Sequence, residues 1–195
     1  MLRILVMASL AVMSLSKPSF SQTDSERVEF RRPRIWAVSG EIGMNSLSSL
    51  VGPTFTYLAL PRIALDAGMG ISSSGLRPGV RARYLFSMEK TSFFGGIGFK
   101  YGFGSFGKEA KVEDPDTKKD LHLKTGQSAF ADGMLGVDFT ANNGFMVVGS
   151  AGWSQLLSND PYTFTSGTPS DKAKKAYDTI FGSGILLSVS LGKAF

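Results

Sequence analysis

From residue 34 onward, apolar and polar positions alternate with a period of two, in segments of about ten residues separated by turn signals. In 34–45 (RIWAVSGEIGMN), Trp36, Val38, Ile42 and Met44 share one face, and Ala37, Ser39, Glu41 and Gly43 share the other. Similar segments follow at 51–60, 63–71, 79–87, 92–104, 127–139 and 145–156, and the chain closes on SGILLSVSLGKAF, 183–195. The faces of 145–156 are the least distinct, because Val147 and Val148 are adjacent and both apolar. Helical periodicity is confined to SDKAKKAYD at 170–178. The pattern predicts eight strands, each close to the length of about 9–11 residues that crosses a bilayer at a tilt.

The links between segments vary in length. Those at 46–50, 72–78, 105–126 and 157–181 read as longer and polar, and those at 61–62, 88–91 and 140–144 as short. Alternation of short turns with longer loops, together with an even strand count, is the pattern of an up-and-down transmembrane barrel. Aromatics cluster toward the segment ends. Trp36, Tyr57, Phe86, Phe93, Phe139, Phe145 and Phe195 lie near the short turns, and Tyr101, Phe103 and Trp153 near the long loops. Leu135, Val137, Val147, Leu187 and Val189 fill the middle. Two aromatic girdles around an aliphatic band are expected where rings prefer the membrane interfaces. In the last segment, Ile185, Leu187, Val189, Leu191 and Phe195 are expected to face lipid. Backbone at membrane depth must be paired, so this segment is expected to close against the first.

The opposite faces carry charge. Glu41, Asp66, Arg81, Arg83, Lys100 and Asp132 all fall on the inward parity, three acids against three bases. Asp66 and Arg83 lie about four residues from the short turns, and the other four deeper. An eight-stranded barrel has an interior that side chains can fill, and buried charge is costly unless paired. A paired network plugging the lumen is therefore expected, with Phe94, Phe130, Met134 and Leu186 beside it. Inward glycines at 68, 70, 96, 98, 102 and 104 leave room for water or for long arginines, so size alone does not decide between a plug and a narrow path.

These features resemble the small eight-stranded outer-membrane barrels of the OmpA/OmpX type, over residues 34–195. The resemblance implies interior ion pairs and a C-terminal strand, ending here in Phe195, that is read by the barrel-insertion machinery. It implies no particular activity. The fold expected is all-β, an eight-stranded antiparallel up-and-down transmembrane β-barrel.

The N-terminus bears on compartment. MLR, then the apolar run 4–15, then SKPSFSQ with Ser19 and Ser21, has the layout of a signal peptide cleaved after Ser21. Residues 22–33 read as a polar linker and 34–195 as the barrel. Cleavage takes away Arg3 and Lys17, so the net charge falls from +5 to +3. The basic residues form no stripe, and nucleic acid is not an expected partner. The absence of cysteine excludes disulfides and thiol chemistry. No later stretch is apolar enough for a spanning helix. A soluble periplasmic β-protein is the rival at the level of fold.

Few residues suggest chemistry. GGIGFKYGFG lies inside an alternating segment and lacks dinucleotide-loop spacing. The single histidine, His122, has no nearby Ser-His or His-x-Ser spacing, so no catalytic residue and no cofactor is expected. In the charged loop, Glu113, Asp114 and Asp116 could hold a divalent cation, and the lysines could meet lipopolysaccharide phosphates. The leading function expected is structural or surface interaction. A small pore for ions or solutes is the first alternative, and a lipid-modifying enzyme using His122 the second.

Overall fold

The computed structural model describes residues 34–72, 75–105, 109–114, 116–158 and 161–195. The signal-peptide and linker readings lie outside the described residues. Eight strands form a closed barrel: β1 (Trp36–Ser46), β2 (Ser49–Leu60), β3 (Ile63–Ser72), β4 (Gly75–Leu85), β5 (Thr91–Gly102), β8 (Ser128–Thr140), β9 (Phe145–Leu156) and β11 (Gly184–Ala194). Every strand pairs antiparallel with its sequence neighbour in the barrel, the up-and-down order the period-2 pattern predicts. The seam joins β1 to β11, in register from Ala37↔Ala194 to Met44↔Leu187. It extends beyond the strands, where Phe195 N–H donates to the Trp36 carbonyl at 2.7 Å.

The inside–outside alternation holds around the barrel. Ile42, Ile97, Leu135 and Ile185 are exposed by 59–71%, while Glu41, Phe94, Met134 and Leu186, on the opposite parity of the same strands, are buried. Apolar area on this scale, continuous around the outer wall, is a lipid-facing surface and not a soluble one. The chain is a transmembrane β-barrel. β9 resolves the strand whose facing the sequence left open: Met146, Val148, Ser150 and Ser154 point in, and Phe145, Ala151 and Trp153 point out. The girdle aromatics stand outward, with Tyr101 half-buried. Trp36 packs on Tyr57 and Phe55 across the β1–β2 pair, at ring-centre distances of 4.3 and 5.0 Å. Lys193, outward on β11, carries its ammonium to within 5.8 Å of the Phe195 ring.

Two links expected to be long are tight. β1 ends at Ser46 and β2 begins at Ser49, and β3 ends at Ser72 before β4 begins at Gly75. Left-handed backbone makes these turns, at Asn45 (φ 49°), Ser49 (φ 63°) and Gly75 (φ 99°). Residues 75–78 fall in the stretch read as the 72–78 link, yet Pro78 sits within β4 opposite Met69. The β4–β5 register begins only at Gly79↔Lys100, so the missing Pro78 N–H falls where no ladder to β5 needs it. Short–long alternation therefore holds for two of the four loop-end connections.

Those two connections are not bare loops. β6 (Glu109–Glu113), β7 (Asp120–Thr125) and β10 (Tyr162–Ser166) form a three-stranded antiparallel sheet, order β10-β7-β6, and α1 (Asp171–Phe181) follows. α1 begins at Ser170, whose hydroxyl accepts the Ala173 N–H at 3.1 Å. Tyr177 and Phe181 of the helix pack with Tyr162 and Phe164 of the sheet, at ring-centre distances of 5.5–6.0 Å. Burial, then a 2.6 Å hydrogen bond to Asp178, pushes the Tyr162 phenol up to about 12. The longer loops were expected as solvated chain, apart from the helical stretch. Their strands escape sequence reading because they are five or six residues long, and β6 and β7 are rich in charge.

Asp114 ties this cap together. It is fully buried and accepts the Ser170 N–H at 2.8 Å, the Ser170 hydroxyl at 2.9 Å, and the N–H groups of Asp116 and Thr117 at 2.9 and 3.1 Å. These bonds, that from the Ser170 backbone first, hold its carboxyl well below the usual carboxylate range. A lowered carboxyl stabilises the cap above its unfolded value near 3.8, and that stability is lost as pH falls toward the lower folded value. Asp114→Ala is expected to open the cap to protease within 109–125 and 161–181 while the barrel stays intact. Pepsin digestion of the wild type from pH 5 down to pH 2 should show the same cuts only at the acid end, the window set by an unfolded carboxyl value near 3.8 and a lower folded one. Equal cutting at both ends would remove Asp114 as the tie.

Candidate functional site: the charged lumen

All six charged residues assigned to the inward parity are buried in the barrel, and the structure adds two more, Arg77 and Asp138. Four acids and four bases thus share the interior among the described residues. Arg83 is the centre of the short-turn half. Its Nε and Nη2 fork onto the two oxygens of Asp66 at 2.7 and 2.9 Å, and its Nη1 reaches Asp138 on β8 at 2.8 Å. The guanidinium also lies 5.1 Å from the centre of the Phe94 ring. Asp66 takes two further donors, Arg81 Nε at 2.6 Å and the Thr56 hydroxyl at 2.8 Å. Arg81 continues to Glu41 at 3.3 Å. The chain Asp138–Arg83–Asp66–Arg81–Glu41 therefore crosses the lumen from β8 through β4 and β3 to β1.

Glu41 has the richest neutral surroundings of the network. Its Oε2 also accepts the hydroxyls of Thr54 and Ser190 at 3.2 and 3.3 Å, and its Oε1 accepts the Leu47 N–H at 3.1 Å. That last bond draws the β1–β2 turn into the barrel. Leu47, Ser48 and Ser49 are all buried, and Leu47 sits in a slot where glycines 68 and 79 stand opposite it. A Cβ on Gly79 would come 2.8 Å from Leu47 Cδ1. Above it lies the second cluster. Lys100 Nζ is 2.9 Å from Asp132, donates to the Ser154 hydroxyl at 3.3 Å, and donates to the Asn45 carbonyl of the same turn. The Arg77 guanidinium stacks 4.6 Å over Phe130.

Each addition had a weak signal in the sequence. Asp138 shares the inward parity of Asp132 and Met134 but lies near a turn. Arg77 shares the parity of Arg81 and Arg83, and was lost in the stretch read as a link. Depths agree with residue counting, except that Arg81 reaches down to Asp66 as well as across to Glu41.

Voids inside are small at the short-turn end. The space between Arg34, Arg83, Asp138 and Met146 amounts to about 10 Å³, near the lower bound for a single water. The large hollows, of about 890, 570 and 500 Å³, are grooves on the outer wall between lipid-facing side chains.

Glu113, Asp114 and Asp116 do not converge on a cation: Asp114 is consumed by the α1 tie, Glu113 pairs with Lys118 at 3.4 Å, and Asp116 with Lys172 at 3.1 Å. Among the described residues, no cluster of acid, histidine or cysteine side chains is placed to hold a metal. His122 is half-exposed on β7, its Nδ1 3.4 Å from Glu109, and the Thr165 hydroxyl donates to its carbonyl rather than its ring.

In strand number, closure and connectivity, this is the fold of the small OmpA/OmpX-type barrels. No family model and no curated protein matches the chain. Among solved structures it is similar to the N-terminal β-barrel domain of Pseudomonas aeruginosa OprF, with 13% identity, 82% of this chain and 95% of that chain covered, and a TM-score of 0.48. It is also similar to Acinetobacter baumannii CarO, with 13% identity, 84% and 98% covered, and a TM-score of 0.32.

Proposed function

We propose that this chain is an integral outer-membrane protein whose barrel is closed by its own side chains, and whose role is structural support and presentation of the β6–β7–β10–α1 cap at the surface. The observation that carries this reading is the interior itself. A cross-lumen ion-pair chain fills the short-turn half, and the inward-folded β1–β2 turn lies over it. A gated pore would need both to move. The apolar outer wall and aromatic girdles support a membrane setting, the N-terminal signal pattern supports export, and the charged cap suits a surface rich in lipopolysaccharide.

Planar-bilayer recording of the refolded mature chain tests this. The wild type is expected to be silent. Replacing Arg81 and Arg83 together by alanine is expected to give discrete conductance steps, and Leu47→Gly, which empties the glycine slot without touching a charge, a smaller increase. Steps in the wild type at neutral pH would make the protein a pore and overturn the closed reading.

A further inference from the structure

Helix α1 ends beside the loop-end rim of the barrel, and a cavity of about 330 Å³ lies between them. Its lining divides in two. Met44 and Leu50 belong to the lipid-facing wall of β1 and β2, and Ile180 of α1 continues that apolar side. Arg77, Ser49 and Asn45 supply the other side. The volume lies at the small end of ligand sites, enough for one alkyl chain and a compact head group.

Two independent features give the polar side a preference. Ser49 is 2% exposed, and its hydroxyl has no hydrogen-bond partner. A buried donor of this kind is costly unless a ligand or water answers it. The second is local charge. Arg77 and Lys100 share the loop-end half of the lumen with Asp132, and Glu41, midway along the lumen, also acts on Lys100. In the cavity lining itself the charged side chain is Arg77, a cation. A guanidinium matches the paired oxygens of a carboxylate or phosphate.

We propose that this cavity binds a single-chain amphiphile with an anionic oxygen head group, taken from the membrane side. The head group lies against Arg77 and the Ser49 hydroxyl, and the alkyl chain runs along Met44, Leu50 and Ile180. The inference rests on the membrane reading of the barrel. An occupant here would touch both the inward-folded turn and α1, so it would bind where the plug and the cap meet.

The test uses the mature chain in phosphatidylcholine vesicles and a dodecanoate carrying a diazirine near its tail. After illumination, label is expected on peptides holding residues 44–50 and 179–180. Decanoate should compete about tenfold better than decanol, the worth of one charge-assisted contact. Ile180→Glu, on an exposed helix position, should abolish labelling without altering heat-dependent gel mobility, and Arg77→Gln should bring decanoate down to the level of decanol. Decyl phosphate competing better than decanoate would assign the head group to a phospholipid, and the reverse order to a fatty acid. Label spread evenly around the barrel, or equal competition by decanol, would mean bulk partition and overturn the site. Loss of the heat-dependent mobility shift in the wild type would instead overturn the membrane reading beneath it.

Discussion

Arg83→Ala is expected to lower the unfolding free energy of the barrel by about 3–5 kcal/mol, the usual cost of removing one partner from a buried ion pair. The size follows from what is stranded. Arg83 gives three hydrogen bonds to two carboxylates, and both Asp66 and Asp138 stay buried when it is gone. Asp66 keeps Arg81 and Thr56, and Asp138 keeps the Thr140 hydroxyl at 3.2 Å but loses its 2.8 Å bond to Arg83. Arg83→Met combined with Asp138→Leu is therefore expected to recover much of the loss, since an apolar pair of similar volume carries no stranded charge. Arg83→Lys keeps the charge and loses the fork, and belongs between wild type and alanine. Urea titration in lipid vesicles, followed by the fluorescence of Trp36 and Trp153, measures all four. A loss below about 1 kcal/mol for Arg83→Ala, the range of an exposed pair, would show that the chain across the lumen does not hold the barrel.

Leu135→Arg is expected to cost about 2–4 kcal/mol, the penalty for a guanidinium on the lipid face at mid-membrane. Leu135 stands outward at 66% exposure in the middle of β8, opposite Gly95 and Ala151. The control is Gln155→Arg, outward near the loop end of β9, where the same change should cost about 0–1 kcal/mol. The contrast with depth is the diagnostic, because a water-soluble barrel would tolerate arginine equally at both positions. The same titration reads it, with vesicle flotation to confirm insertion.

The two predictions rest on features of unequal visibility in the sequence. Outward faces such as Ile185, Leu187 and Val189 were plain from alternation alone, because lipid on one side and a filled lumen on the other impose opposite chemistry on successive residues. The inward charges were legible for the same reason, and their balance argued for pairing. Partners were not legible. Arg83 meets Asp138 across 55 residues of chain, and barrel shear decides that meeting. Connections were read least well. Pro78 and Gly79 look like a turn locally but are absorbed into β4 by its pairing with β3. The inward fold of Leu47 left no local mark, since it depends on glycines of β3 and β4 that face it only after closure. The cap strands are too short to show a period, and the aromatics Tyr162 and Phe164 of β10 and Tyr177 and Phe181 of α1 meet only once the connection has folded back on itself.

The seam between β1 and β11 bears on how the barrel can be made. Ser190 donates to Glu41 across 149 residues of sequence, so the contact that completes the lumen also carries the largest loop-closure cost in the chain. Each of the other strand pairs joins neighbours in the barrel and can form as a hairpin, but none of them removes the exposed edges of β1 and β11. Until the two ends meet, both edges offer unpaired backbone to hydrocarbon, which costs more than any single hairpin returns. Assembly should then be slow and all-or-none, limited by the arrival of the final strand. A variant weakened only at the seam, such as Ser190→Val, should slow folding by nearly the full factor of its loss in equilibrium stability, with the unfolding rate little changed.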